Sequence, residues 1–258
     1  MRATVRMTGI AKKTVMRLVV EAGEACKAYC DRTLRNLPCK RIECDEIWAF
    51  CGAKQKNASD ERKRDGWGDV WTWVAIDPIT KLIPSWYVGK RDASDAYFFI
   101  HDLESRLANR VQLTTDGHRA YLEAVEDAFG AEIDYAQLIK LYGTPGRSGE
   151  DHPTEVRYSP PECIGTRRKR IMGNPERQFI STSIVERQNL TMRMQMRRFT
   201  RLTNAFSKKL RNHEAAVNIH FMHYNFCRIH QSLRVTPAME AGISDHVWSL
   251  EEVAALLD

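Results

Sequence analysis

The chain of 258 residues has no run approaching the roughly 20 apolar residues of a membrane span. Its opening, Met1-Arg2-Ala3-Thr4-Val5-Arg6, lacks the apolar core of a signal peptide. It also lacks any CxxC pair, and its seven cysteines (26, 30, 39, 44, 51, 163, 227) are odd in number. Reduced thiols in a cytoplasmic protein are therefore expected. Cys39, Cys44 and Cys51 fit no usual zinc-finger spacing, so packing is the preferred reading over a zinc site. Acids are scarce in one long stretch. Across residues 157–211, fourteen Lys or Arg stand against three acids, Glu162, Glu176 and Glu186. The whole chain carries only +6. A solvated helix face explains short charge runs, but one this long and nearly acid-free points to a polyanion, nucleic acid first.

What is present suits a globular α/β chain: 43% apolar and 28% charged residues. Residues 2–8, the turn Gly9-Ile10-Ala11 and a helix from Lys12 read as helix, turn, helix, with Val5, Ile10, Val15 and Leu18 packing the pair. Lys12, Lys13 and Arg17 fall where a recognition helix meets DNA. An ordinary two-helix hairpin fits the pattern equally well. Cys26 and Cys30 are expected to be buried on the continuing helix.

Strands are expected over 40–50, 69–76 and 82–89, the last two joined by the turn Asp77-Pro78-Ile79-Thr80. Residues 54–68 read as a mobile polar loop. An amphipathic helix over 92–108, a strand ending at Asp116, a helix over 118–129 and a strand within 132–141 follow. Residues 142–180 hold five glycines and five of the nine prolines and read as a long insertion loop. Within it Arg167-Arg168-Lys169-Arg170 marks Arg168 and Arg170 as DNA contacts, or as a merely basic loop. Ser183 is expected to cap a helix running to about 199, and a second long helix spans about 204–230. Pro237 and Ser249 open short helices, the second with the capping box Ser249-x-x-Glu252.

Three acids stand out. Asp45 lies in an alternating strand, Asp116 ends one, and Glu186 starts a helix. Two strand-end acids and a helix acid can converge at a sheet edge. Converged carboxylates repel, and such hard oxygen ligands suit Mg²⁺, two ions of which can clamp an in-line phosphoryl displacement. Each acid also has a plain reading. Asp45 is a surface acid, with Glu46 beside it an equal candidate. Asp116 starts a turn. Glu186 sits at capping-box distance from Ser183.

Taken together, Cys44-Asp45-Glu46-Ile47-Trp48, Asp69-Val70-Trp71-Thr72-Trp73 with Ala75-Ile76-Asp77, Thr115-Asp116-Gly117-His118-Arg119-Ala120-Tyr121, Ser183-Ile184-Val185-Glu186-Arg187-Gln188-Asn189-Leu190 and Tyr224-Asn225-Phe226-Cys227-Arg228-Ile229-His230 resemble a DDE transposase of the insertion sequence one type. The set spans nearly the whole chain. The resemblance implies an α/β fold with a ribonuclease-H-like mixed sheet flanked by helices over 39–230. It implies a helix-turn-helix DNA-binding segment over 1–35, part of a unit with more sequence upstream, and a helical tail over 231–258. It makes Asp45, Asp116 and Glu186 the catalytic metal ligands for two Mg²⁺ ions, with Mn²⁺ able to substitute. Arg193, two helical turns after Glu186, matches a basic position of related enzymes, and Arg197 and Arg198 continue the DNA-contacting run. His118 reads as a phosphate contact or as helix-start packing. Asn225, Arg228 and His230 are structural or DNA-contacting. The implied activity is cleavage and strand transfer on double-stranded DNA by a homo-oligomer in a bacterial cytoplasm, associated with the nucleoid. A ribonuclease-H-like nuclease or resolvase that only cuts, and a domesticated DNA-binding regulator, are the alternatives.

Overall fold

The structure, a computed structural model, describes residues 2–143, 163–200 and 203–258. Its strands are Arg41–Cys51 (β1), Gly68–Ile76 (β2), Ser85–Gly89 (β3), Val111–Thr115 (β4), Ile133–Tyr142 (β5) and Cys163–Met172 (β6). They form one mixed sheet in the order β3-β2-β1-β4-β5-β6. β1, β2 and β3 are an antiparallel meander, β4 and β5 run parallel to β1, and β6 returns antiparallel. The helices are Arg2–Thr8 (α1), Lys12–Thr33 (α2), Asp60–Arg64 (α3), Ala93–Glu104 (α4), Ala120–Phe129 (α5), Ser183–Gln195 (α6), Leu210–Met222 (α7), Pro237–Glu240 (α8) and Leu250–Ala254 (α9). No helix among the described residues is long and apolar enough to cross a membrane.

Side chains alternate across a strand, so β1 sorts its residues onto two faces. Asp45 pairs with Val74, and Val74 with Trp86. The Trp86 indole donates to Asn218 of α7 at 2.8 Å, which places α7 over that face. α2 packs on α7, where a Cβ on Gly23 would come within 2.5 Å of Ala215, so only glycine allows the close approach. Glu46 pairs with Trp73 on the other face. Trp73 meets Phe99 of α4 and Tyr121 of α5. The sheet is thus the middle layer of three.

Several expectations change. The 142–180 segment is not all loop, because β6 lies within it; residues 144–162 fall outside the described residues. Arg167-Arg168-Lys169-Arg170 stand on this edge strand with their side chains exposed, where charge also keeps the edge from pairing further. The second long helix begins at Leu210, not near 204, because residues before it are drawn into side contacts. Phe206 stacks on Phe50 at 4.8 Å, and the Ser207 carbonyl accepts from the Gly52 N–H at 2.7 Å. That helix ends in a π-helical stretch, His223–Cys227, where the Asn225 amide bonds both the N–H and the carbonyl of Ile83. Asn225 therefore has a structural job, tying the helical layer to the strand approach ahead of β3.

At the N-terminus, α1 buries nothing, and Ile10 and Leu18 remain 47% and 51% exposed rather than packing the hairpin. α2 runs on to Thr33, and its Cys26 and Cys30 are fully buried in the core shared with the sheet. The seven cysteines are all free thiols. The Ser249–Glu252 capping box forms as expected.

Candidate active site

Cys44 pairs with Thr115 in the parallel β1–β4 ladder. The next residues are Asp45, within β1, and Asp116, just past the end of β4, so the two acids stand side by side where β4 ends. α6 crosses above them. Its N-terminus is not capped by Ser183, and the Ser183–Glu186 capping box does not form. Instead the buried Glu43 carboxylate reaches across from β1 and accepts the Ile184 and Val185 N–H groups at 2.8 and 3.1 Å. An anion there satisfies two orphan donors and meets the positive end of the helix. That contact aims the first turn of α6 at the strand ends. Asn189, one turn after Glu186, donates to Asp45 Oδ2 at 2.9 Å.

The result is a cleft of about 520 Å³ whose walls include Asp45, Glu46, Asp116, Glu186 and Arg193. The three acids marked out in sequence therefore share one cleft. Glu46 joins them from the opposite face of β1: the carboxylates of Asp45, Glu46 and Asp116 each place an oxygen within 4.8 Å of the others. Glu186 is held a little apart. Its oxygens accept from Lys140 Nζ and Thr182 Oγ1, each at 2.5 Å. Arg91 reaches in from the loop before α4, to Glu46 at 3.0 Å and Asp116 at 3.3 Å, with its guanidinium over the Trp71 ring.

Three cations, Arg91, Lys140 and Arg193, stand against four carboxylates, so acids still outnumber bases in the cleft. Burial first, and then the neighbouring Asp116 carboxylate, push Asp45 and Glu46 up to about 7 each. The Glu46 side chain is only 1% exposed, and its Oε1 has no hydrogen-bond partner of good geometry. Burial opposes the charge on Lys140, but its bond to Glu186 holds its pKa above the ordinary value. His118 also lines the cleft; it stacks on Trp73 at 5.8 Å, and its backbone N–H donates to Asp116 Oδ1. Burial and Arg91 lower its pKa.

The other marked residues disperse. Arg193 lines the cleft two turns beyond Glu186. Lys12, Arg197 and Arg198 line a separate groove at the far end of α6. Lys13 is exposed on α2, and Arg17 is exposed beside Glu21 at 3.5 Å. Arg168 and Arg170 sit on β6. Sequence reading missed Arg91, Lys140 and Asn189. Asn189 was findable, since it lies three residues after Glu186 on one helix face. Arg91 and Lys140 carry no local signal, because only the sheet order brings them to Asp116 and Glu186.

No protein-family model matches this chain, and no curated protein is significantly similar to it.

Proposed function

We propose that this protein is a DDE-type transposase of the insertion sequence one type, built on a ribonuclease-H-like core, that cuts DNA strands and joins them to a target. One observation carries the reading: Asp45 on β1 and Asp116, the residue just past the end of the neighbouring parallel strand β4, stand side by side in one cleft with Glu186 on the crossing helix. The strand order around β1 supports it, three antiparallel strands followed by two parallel ones joined through helices. Fold alone does not fix function, so the weight rests on the acids.

The residues fit divalent cations. Carboxylate oxygens within 4.8 Å of one another, in a site short of positive charge, form a hard-oxygen donor set suited to Mg²⁺ or Mn²⁺. Asp45, Asp116 and Glu186 would hold the ions, with Glu46 adjoining. Bound Mg²⁺ would supply Lewis-acid stabilisation to the attacking and leaving oxygens of a phosphodiester. The chain's own part is positioning. Asn189 fixes one oxygen of Asp45, which leaves the other for a ligand. Lys140 and Arg91 are the cations nearest the acids and meet the phosphate oxygens of the strand. Arg193 extends that contact along α6. Joining two DNA ends in one assembly requires at least a dimer.

The test is a strand-transfer assay. A duplex pre-cut to expose a 3′-hydroxyl is mixed with the protein, Mg²⁺ and a labelled target. Joined products that vanish with chelator are expected. Cleavage without joining would select the nuclease reading, and DNA binding with neither would select the regulator.

A further inference from the structure

At the far end of α6 lies a groove of about 680 Å³ formed by three separate parts of the chain. Lys12 comes from the start of α2, Arg197 and Arg198 from the 3₁₀ turn Arg197–Phe199, and Lys208 and Lys209 from the approach to α7. Its floor is apolar, with Met16, Met196 and Phe206. No acid lines it. Lys12, Arg197, Lys208 and Lys209 are exposed, and among the described residues none of these four is ion-paired. Arg198 is anchored: it donates to Ser207 Oγ at 2.7 Å, which in turn meets His213 Nδ1 at 3.0 Å. The nearby Arg211 behaves differently, because its guanidinium is engaged by both oxygens of Glu24.

Five like charges held around one concavity repel each other in the free protein. They are kept together by the packing of α2, α6 and α7, not by local counter-charge. A polyanion is the partner that relieves this repulsion. Basic side chains supplied by three separate segments suit a sugar–phosphate backbone rather than a compact anion, since several phosphates spaced along a strand can each meet a separate side chain.

We infer that this groove holds the phosphate backbone of duplex DNA at a distance from the acidic cleft, with α6 as the ruler between the two. The choice of DNA as partner rests on the transposase reading. Gln195, which ends α6 and also lines the groove, lies nine residues beyond Glu186. At 1.5 Å per residue that is about 14 Å. Phosphates advance about 3.4 Å per base pair along one strand. A duplex lying along α6 therefore puts the groove on phosphates about four base pairs from those in the cleft, with Arg193 between. The start of α2 is on this account one wall of a composite groove, and Lys12 contributes while Lys13 and Arg17, which do not line it, contribute little.

The experiment measures binding of a 30-base-pair duplex across a salt series, for the wild type, Lys208→Ala/Lys209→Ala, Lys208→Arg/Lys209→Arg, Lys13→Ala/Arg17→Ala and Arg211→Ala. Each lost phosphate contact flattens the slope of log K against log salt by about 0.9. The double alanine variant should lose about two units of slope and at least tenfold in affinity near 0.1 M salt. The double arginine variant should restore both, and the other two variants should match the wild type. An unchanged slope in Lys208→Ala/Lys209→Ala, a loss that arginine does not rescue, or an equal loss in Lys13→Ala/Arg17→Ala would overturn the inference. So would preference for an RNA duplex over DNA. Mg²⁺-dependent cleavage by the wild type is followed in the same samples. Cleavage with an unchanged groove slope defeats the groove and spares the transposase. A flattened slope without any cleavage in the wild type does the reverse.

Discussion

Two clusters of buried charge sit on this one fold, and they are built differently. Around Arg106 the charges balance. Its guanidinium, nearly inaccessible, takes both oxygens of Asp102 at 2.8 Å each, and also bonds Asp31 and the Cys30 carbonyl, while Lys27 pairs with Asp31 as the second cation. Asp102 further accepts from Ser85 at 2.6 Å. Burial alone would push Asp102 up, but the hydrogen bonds and charge of Arg106 hold it below its ordinary value. The same bonds raise Arg106 against its own burial. In the cleft the balance is missing. Asp45 and Glu46 are raised together, and Arg91 must serve both Glu46 and Asp116. A folded chain satisfies its buried charges where they serve only structure. The place where it leaves them unsatisfied is where an outside cation and an outside phosphate would complete the set.

The contrast can be broken most directly at the acids. Asp45→Asn, Asp116→Asn and Glu186→Gln should each lower metal-dependent strand cleavage by about a thousandfold or more, roughly 4 kcal/mol of barrier, while the protein stays folded. Single-turnover cleavage of a labelled duplex measures it, and wild-type cleavage by Asp116→Asn would remove the cleft from the chemistry. At the other cluster the effect should fall on stability alone. Arg106→Leu strands Asp102 without its cation, leaves Asp31 only Lys27, and should cost about 3–5 kcal/mol in urea unfolding. A cost below about 1 kcal/mol would erase the distinction between the clusters.

A third expectation sharpens the comparison through pH. The folded-state pKa of Asp45 is about 7, above the roughly 3.9 of an unfolded aspartate. Between those values the folded form holds a proton that the unfolded form has released. The stability from this group is complete below pH about 4 and is lost as pH rises through 7. In the metal-free protein Asp45→Asn should therefore be the more stable by up to about 4 kcal/mol at pH 8, with the advantage gone near pH 4. Mg²⁺ should raise the melting temperature of the wild type more at pH 8 than at pH 5.5, because protons compete for the same oxygens. A Mg²⁺ shift that is larger at pH 5.5 would contradict the unbalanced-cleft account.

The smallest expected effect lies between sheet and helix. Glu43→Ala removes the acceptor for two N–H groups of α6 and should cost about 1–2 kcal/mol. It should also slow cleavage, since the turn carrying Glu186 loses its anchor. A stability loss with cleavage unchanged would show that α6 is aimed by its other contacts.

What the sequence alone determined is local. Alternating side chains marked β1, and the strands expected at 69–76 and within 132–141 formed as β2 and β5. The turn at Asp77 formed as expected, with the Asp77 carboxylate accepting from Ile79 and Thr80. The Ser249 box formed too, because a cap needs only neighbours within one turn. Asp45, Asp116 and Glu186 could be marked out by residue type, and Asp116 and Glu186 by their places after a strand and in a first helical turn; Asp45 lies inside β1 and not at its end as expected. Tertiary structure decided the rest. β6 was hidden among glycines and prolines because its pairing partner β5, not its own composition, makes it a strand. The cap of α6 came from Glu43, 141 positions away, displacing the nearby Ser183. Glu46 entered the cleft and Arg91 closed on Asp116 through sheet order alone. Lys12, Arg197 and Lys208 became one groove for the same reason. Local rules follow from backbone sterics and neighbouring hydrogen bonds, which a short stretch of sequence contains. Which distant charges meet depends on how the layers pack, and that is a property of the whole chain.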